Sequence, residues 1–167
     1  MRNRKNKTTI YRKGEKRKIL GIPEDCYVIS SIGRLDPMKD FESLLTSFKD
    51  INEEFSDSLL LIVGDGRSDI KQRLIELVEK NDLKNNVKLL GYREDVYEII
   101  LASDVVISSS LFGEGVSNVV IEAMALGIPV ISTDVGDHKI VLENGRGDSD
   151  SLQECSESSF CFKDIEI

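Results

Sequence analysis

Short apolar runs alternate along the chain with longer segments in which apolar residues recur every three or four positions. Such runs are typical of strands buried on both faces, and such segments are typical of helices with one apolar face. The predicted strands are 27–32, 59–63, 87–91, 104–108 and 129–132. The predicted helices are 18–23, about 41–51, 69–81, 96–100 and 116–126. Because strand and helix alternate with short links, the pattern predicts an α/β fold with a doubly wound parallel sheet.

The loops that follow the predicted strands are where function is expected. In a doubly wound sheet, ligands bind beyond the carboxyl ends of the strands. The loops at those ends are 33–39, 64–67, 91–93, 108–117 and 133–138. We therefore expect the functional residues to converge on one rim of the sheet.

One charged residue stands out in the predicted helix 116–126. Glu122 is the only charged side chain between Glu114 and Asp134. A carboxylate among apolar neighbours costs free energy unless it accepts hydrogen bonds or meets a charge. Glu122 is either an ordinary solvated residue of the helix surface or an acceptor for ligand hydroxyl groups. The Gly-rich loop before the helix favours the second interpretation, because free N–H groups at a helix N-terminus attract an anion such as phosphate.

Composition and charge narrow the classes of function. The 167 residues have a net charge of −8, but the first 20 hold nine Lys or Arg and one Glu, which leaves the remainder at about −16. An acidic body argues against a nucleic-acid-binding protein, since phosphate contacts dominate that affinity. Three scattered cysteines and one histidine offer no metal-ligand spacing, so we expect neither a metal nor a cofactor. This cysteine usage suits a reducing cytosol, and a cytoplasmic location is expected.

The two ends of the chain differ from its middle. Residues 1–18 are basic and lack apolar periodicity, which predicts a tail or linker with at most peripheral contact to an anionic membrane surface. Residues 143–167 are rich in Ser, Asp and Glu, which predicts an acidic tail. A single folded domain, 19–142, is expected between them.

The stretch from Glu114 to Ile131 reads E-G-x-S-N-x-x-I-E-A-M-A-x-G-x-P-V-I. This stretch resembles the nucleotide-sugar signature of the retaining glycosyltransferases of family four, which have the GT-B fold. The resemblance implies a Rossmann-like half-domain, the donor-binding C-terminal half of such an enzyme. It also implies transfer of a hexose-type sugar from a nucleotide diphosphate sugar to a glycan or lipid-linked acceptor, most often in polysaccharide biosynthesis.

A second resemblance lies in the loop after the first predicted strand. The segment that begins Gly33-Arg34 and ends at Lys39 resembles the Gly-Arg-x4-Lys loop that holds the donor diphosphate in these enzymes. A diphosphate leaving group gains charge as the sugar departs, and fixed Arg and Lys side chains stabilise that charge. The resemblance therefore implies catalytic roles for Arg34 and Lys39, although either residue alone would pass for a surface charge.

The resemblance assigns both glutamates of the signature to ligand hydroxyl groups. Glu122 would accept hydrogen bonds from the ribose. Glu114 would accept from hydroxyls of the transferred sugar, which makes it the third catalytic residue. Neither glutamate needs to act as a general acid or base, since the leaving phosphate is thought to assist the acceptor in these enzymes.

Backbone groups complete the implied binding site. The N–H groups of Gly115, Val116 and Ser117 would bind the phosphates. Gly91 and Tyr92 would border the pocket for the nucleotide base. The nucleotide itself, whether UDP, GDP or ADP, is left open.

Three further residues are interpreted without a role in binding. Asp137 stands where the family usually has a second glycine, and its carboxylate would repel phosphates unless it points away. His138 is expected at the surface or in a turn. The glycines of Val63-Gly64-Asp65-Gly66 are attributed to turn formation.

The resemblance covers about residues 17–147, one half of a two-domain enzyme. We expect the isolated chain to be inactive without an acceptor domain or subunit. A fragment, one chain of a split enzyme and a module that has lost transfer all remain open. The alternative class is a non-enzymatic nucleotide-binding or partner-binding module. A dehydrogenase is disfavoured because Gly-Arg-Leu-Asp, and not Gly-x-Gly-x-x-Gly, follows the first strand.

Overall fold

A computed structural model describes residues 13–113, 115–138 and 140–141 of the chain. The strands are β1 (Tyr27–Ile32), β2 (Ser58–Val63), β3 (Val87–Gly91), β4 (Val105–Ser108) and β5 (Val130–Ser132). The helices are α1 (13–19), α2 (Phe41–Glu54), α3 (Ser68–Lys80), α4 (Val96–Ala102) and α5 (Asn118–Leu126), and a 3-10 turn covers Pro37–Lys39. All strand pairs are parallel, in the order β3-β2-β1-β4-β5. This architecture confirms the predicted doubly wound sheet.

Strand β1 occupies the centre of the sheet, between β2 and β4. The chain moves outward from β1 to β3 on one side and then crosses over to β4 and β5 on the other. This reversal is the topological switch point, where sheets of this kind open a crevice for ligands. The loops that follow β1 and β4 flank the crevice.

The sheet is covered on both faces because alternate residues of each strand point in opposite directions. On one face, Ile29 and Leu60 pack with the apolar stripes of α2 and α3. On the other face, Val28 and Leu61 pack with Ile99 of α4, and a neighbouring cluster includes α5. Full burial of one such aliphatic side chain contributes roughly 1.5–3 kcal/mol. The continuous apolar runs of the sequence are therefore explained by helices on both sides.

The helix boundaries follow local chemistry. Helix α2 begins after Asp40, whose side chain accepts a hydrogen bond from the Ser43 N–H at 3.3 Å. Helix α5 ends at Gly127, as predicted, with the glycine at a φ of 73°. It begins at Asn118, two residues later than predicted, because Ser117 has an extended backbone with ψ at 127°. The Ser117 N–H is engaged outside the helix, as described below.

Helix α1 lies inside the segment predicted to be a basic tail. Arg17 is only 5% exposed, and its Nη2 lies 2.5 Å from Asp104 Oδ2, while Lys13 pairs with the other oxygen of Asp104. The guanidinium also donates at 2.7–2.9 Å to the carbonyl oxygens of Glu24, Cys26 and Ala102. A guanidinium can be buried where its donors are met in this way, here four of the five. The tail prediction is therefore wrong for residues 13–18, while the predicted acidic tail lies outside the described residues.

An open depression of about 570 Å³ lies at the opposite end of the sheet from the crevice. Its lining includes Asp25, Cys26 and Lys88, all near the amino ends of the strands. Burial raises the pKa of the Cys26 thiol, which disfavours the reactive thiolate. Because it lies at the amino ends of the strands, the depression is far from the loops where ligands bind in this fold.

Candidate functional site

Three loops at the carboxyl end of the sheet form one connected rim. We call them loop 1 (33–40, after β1), loop 4 (109–117, after β4) and loop 5 (133–138, after β5). In loop 4, the Ser109 hydroxyl donates to the Lys39 carbonyl oxygen at 2.6 Å, and the Leu111 N–H donates to that of Met38 at 2.8 Å. In loop 5, the Thr133 hydroxyl donates to the Ser110 carbonyl oxygen at 2.5 Å. Loop 4 is thus hydrogen-bonded to both of the others.

Close backbone packing joins loop 1 to the turn after β2. The Leu35 N–H donates to the Asp65 carbonyl oxygen at 3.1 Å, and a Cβ on Gly66 would lie 2.5 Å from the Leu35 carbonyl oxygen. Gly64 has a φ of 135°, and a Cβ there would lie 1.9 Å from the Gly33 carbonyl oxygen. Turn formation alone therefore does not account for these glycines, because a side chain at either position would separate the two segments.

The two cations of loop 1 differ in their surroundings. Arg34 is 70% exposed, and its Nη2 lies 3.8 Å from Asp36 Oδ2, so its guanidinium reaches into solvent at the rim. Lys39 is half-buried, and its side chain lies along Gly33, where an added Cβ would be 3.0 Å from Lys39 Cε. The structure thus brings Gly33 and Lys39 together, and it places Arg34 on the same loop.

The N-terminus of α5 points its first turn at this rim. Neither a side-chain cap nor an acidic residue is present in the first turn of α5. Ser117 precedes the helix and is buried, and its N–H donates to Nε2 of His138 at 3.1 Å. In this conformation that N–H cannot donate to a phosphate, which is the role predicted for Ser117. Gly115 is exposed and Val116 is half-buried.

His138 is fully buried, so the expectation of a surface position is wrong. Besides Ser117, it contacts Ser132, whose Oγ lies 2.6 Å from Nδ1. Asp137 beside it is exposed. Nothing in the sequence marks His138 for burial, because Ser132 and Ser117 lie 6 and 21 residues away along the chain.

Of the two glutamates of the signature, the structure describes one. Glu122 lies in the second turn of α5 and is half-buried. Its carboxylate makes no hydrogen bond or ion pair with any residue in the described ranges. A carboxylate in that position is available to a ligand. Glu114 lies outside the described residues, so its predicted role stays a prediction.

The loop after β3 supplies an exposed aromatic ring. The carbonyl oxygen of Gly91 accepts from the Gly64 N–H at 2.8 Å, so this strand end is tied to the turn after β2. Tyr92 is 73% exposed. Next to it, Arg93 donates to both oxygens of Asp95, at 2.7 and 2.5 Å, and these bonds hold the pKa of Asp95 below its ordinary value. Tyr92 is thus accessible on a fixed turn.

In the described part of the chain, no group of three or more His, Cys, Asp or Glu side chains could hold a metal ion. Within the same ranges, no helix combines the length and the apolar character that crossing a bilayer requires.

Sequence reasoning did not find the role of Ser109. Its hydroxyl joins loops 1 and 4, and Ser108, Ser109 and Ser110 are all buried. A run of small polar residues directly after an apolar strand is the signal that could have indicated it, since buried hydroxyls require partners.

Fold and rim together define a Rossmann-like α/β domain of the GT-B glycosyltransferase type. The chain belongs to the family of glycosyl transferases group 1, whose model matches residues 12–149. That range contains all five strands and the three loops of the rim. The resemblance seen in the sequence is thereby confirmed at the level of a GT-B glycosyltransferase family.

Curated relatives share this part of their sequences. An uncharacterized glycosyltransferase of Methanocaldococcus jannaschii is 42% identical over 111 residues, which are 66% of this chain and 27% of that protein. The UDP-Gal:alpha-D-GlcNAc-diphosphoundecaprenol alpha-1,3-galactosyltransferase of Escherichia coli is 34% identical over 133 residues, 77% of this chain and 33% of that protein. The chain therefore spans about a third or less of the length of these relatives.

Solved structures share the fold. HepE of Anabaena in complex with UDP-glucose matches with a TM-score of 0.72 and 27% identity over 78% of this chain and 36% of that chain. Sucrose-phosphate synthase from Thermosynechococcus elongatus matches with a TM-score of 0.68 and 28% identity over 77% of this chain and 33% of that chain.

Proposed function

We propose that this chain is the donor-binding, C-terminal half of a retaining glycosyltransferase. It binds a nucleotide diphosphate sugar on the rim, for transfer of a hexose-type sugar to a glycan or lipid-linked acceptor by a complete enzyme. The observation that carries the proposal is the hydrogen bonding between loop 1, which holds Lys39, and loop 4, which leads to the uncapped N-terminus of α5.

This arrangement suits a diphosphate. N–H groups at a helix N-terminus and the positive end of the helix dipole attract an anion. No acidic side chain in the first turn of α5 opposes that charge, and the Ser109 bond holds the backbone of Lys39 to the loop that leads to this turn. Arg34, whose side chain is 70% exposed beside Asp36, could turn toward a bound ligand. Together these groups would neutralise most of a diphosphate's charge.

The same groups assist the chemistry of transfer. When the bond between the sugar carbon and the diphosphate oxygen breaks, its electrons stay on the diphosphate, so negative charge grows there. Arg34, Lys39 and the N–H groups of Gly115 and Val116 are more strongly attracted to that charge in the transition state than in the ground state. Glu114 would hold the sugar by its hydroxyls, and Glu122 would hold the ribose.

The nucleotide is proposed to be UDP in the first instance. Three solved structures of HepE, at 26–27% identity, contain UDP, UDP with glucose, or UDP-glucose. Tyr92 and Gly91, at the carboxyl end of β3, would border the base.

Calorimetric titration of the purified chain with UDP, GDP, ADP and their sugar conjugates tests the proposal. We expect saturable binding of one nucleotide class. Glu122→Ala should weaken it roughly ten- to a hundredfold, because a hydrogen bond to a charged acceptor contributes about 1.5–3 kcal/mol. Lys39→Met should weaken the diphosphate more than the nucleoside monophosphate.

A matched control lies on the opposite layer of the domain. Glu76 is exposed on α3 and its carboxylate accepts from Gln72 at 3.0 Å on the same helix, so Glu76→Ala should leave the affinity unchanged. Absence of binding by the folded wild-type chain would contradict the proposed function. Unchanged affinity in a folded Glu122→Ala variant would refute the ribose role alone.

A further inference from the structure

His138 joins two elements of the rim through one buried ring. Its Nε2 accepts from the Ser117 N–H at 3.1 Å, and its Nδ1 lies 2.6 Å from Ser132 Oγ. Ser132 ends β5, and Ser117 directly precedes α5. The ring, Ser117 and Ser132 are all buried, at 0%, 8% and 6% exposure. These bonds are therefore shielded from competing water.

The hydrogen bonds favour one tautomer of this ring. Nε2 accepts from the Ser117 N–H, so Nδ1 is the nitrogen that carries a proton. Nδ1 then donates to Ser132 Oγ, and the Ser132 hydroxyl donates in turn to the Thr133 carbonyl oxygen at 3.0 Å. A proton on Nε2 would set two donors against each other at Ser117.

We infer that His138 is a positioning residue for the donor phosphates, an inference that rests on the proposed function. Without the imidazole, the buried Ser117 N–H loses its acceptor, which is costly for a group out of contact with water. Loop 4 would then move to satisfy that N–H elsewhere. Because Gly115 and Val116 lie directly before Ser117 in the same loop, their N–H groups would move with it.

The set of phosphate contacts then differs from the one predicted from the sequence. The Ser117 N–H is bound to His138, so the N–H groups that remain for the ligand are those of the exposed Gly115 and the half-buried Val116. The single histidine of the chain thus acts on the ligand only through the backbone of loop 4.

Three variants of the full chain separate the acceptor role from packing. In His138→Gln, the side-chain oxygen reaches the place of Nε2 and can accept from Ser117. In His138→Asn, the shorter amide reaches only the place of Nδ1, and His138→Leu has no polar atom. Two quantities are measured in each: amide exchange at Ser117 by NMR without ligand, and affinity for UDP, GDP and ADP by calorimetry.

We expect the Asn and Leu variants to exchange the Ser117 amide faster and to bind the nucleotide diphosphate roughly tenfold more weakly. The Gln variant should stay close to wild type in both quantities. Circular dichroism establishes that each variant is folded, and the Gln and Asn pair decides the question if the Leu variant is not.

Equal affinity in the wild type and the Asn variant would overturn the positioning role. Equal losses in Gln and Leu would also overturn it, because they would indicate packing and not the acceptor. If the wild-type chain binds no nucleotide while Ser117 exchange still depends on the acceptor, the proposed function is overturned and the His138–Ser117 contact is supported.

Discussion

Gly64 shows how much of the rim depends on the absence of a single side chain. Its N–H donates to the Gly91 carbonyl oxygen at 2.8 Å, while its own Cα faces the Gly33 carbonyl oxygen. Its φ of 135° is one that residues with a Cβ rarely adopt. The loops after β1, β2 and β3 therefore meet at this glycine, and its backbone geometry sets how closely they approach one another.

We predict that Gly64→Ala destabilises the domain by at least about 3 kcal/mol, because both the clash and the strained φ must be relieved. Gly127→Ala is the matched control. Gly127 also has a positive φ, of 73°, but nothing lies within 4 Å of an added Cβ, so only a backbone cost of about 1–2 kcal/mol is expected. Urea unfolding measures both, and equal losses would show that the close approach to Gly33 does not matter.

At the scale of elements, α1 shows how a basic segment becomes part of the fold. Its Arg17 replaces water with three carbonyl oxygens and the carboxylate of Asp104. Asp104 in turn accepts from the Val28 N–H at 2.6 Å, at the start of the central strand. The helix is therefore tied to β1 and to the turn before β4 by charge and not by an apolar stripe.

We predict that Arg17→Met destabilises the domain by about 3–5 kcal/mol, because three carbonyl oxygens would lose their donor, at about 1–3 kcal/mol for each one left unsatisfied, and Asp104 would keep only Lys13 as a cationic partner. Arg67→Met is the control: Arg67 also pairs with an aspartate, Asp69, but both side chains are more than half exposed, at 58% and 57%. Surface pairs contribute little, so its unfolding midpoint should not move measurably. If Arg17→Met lowers the free energy of unfolding as little as the control does, the bonds of Arg17 do not contribute to the stability of the domain.

At the scale of the whole molecule, the chain spans about a third of the length of its relatives, and its rim is the proposed donor site. We predict that the isolated chain binds its nucleotide sugar but does not transfer the sugar, because an acceptor must be held against the donor for transfer. The measurement is release of nucleotide from UDP-, GDP- and ADP-sugars with glycan and lipid-linked acceptors. Robust turnover by the purified chain would contradict this prediction.

The strands and the doubly wound sheet were largely predictable from the sequence alone. Strands β1 and β3 have the predicted limits, and the other strands differ by one residue at one end. This succeeded because both faces of the sheet are covered, so each strand is a continuous apolar run. The Gly127 stop and the spacing of Arg34 and Lys39 are equally local. Such features depend only on neighbours along the chain.

Only the tertiary structure decided which of these local features meet. The pairing of β1 with β4, the Ser109 bond to Lys39 and the Arg17 pair with Asp104 join residues 70 to 87 positions apart. The contact of His138 with Ser117 is of the same kind. A histidine or an arginine has the same local pattern at the surface and in a buried network. Whether it is buried depends on which donors and acceptors the fold brings to it, and periodicity along the chain does not carry that information.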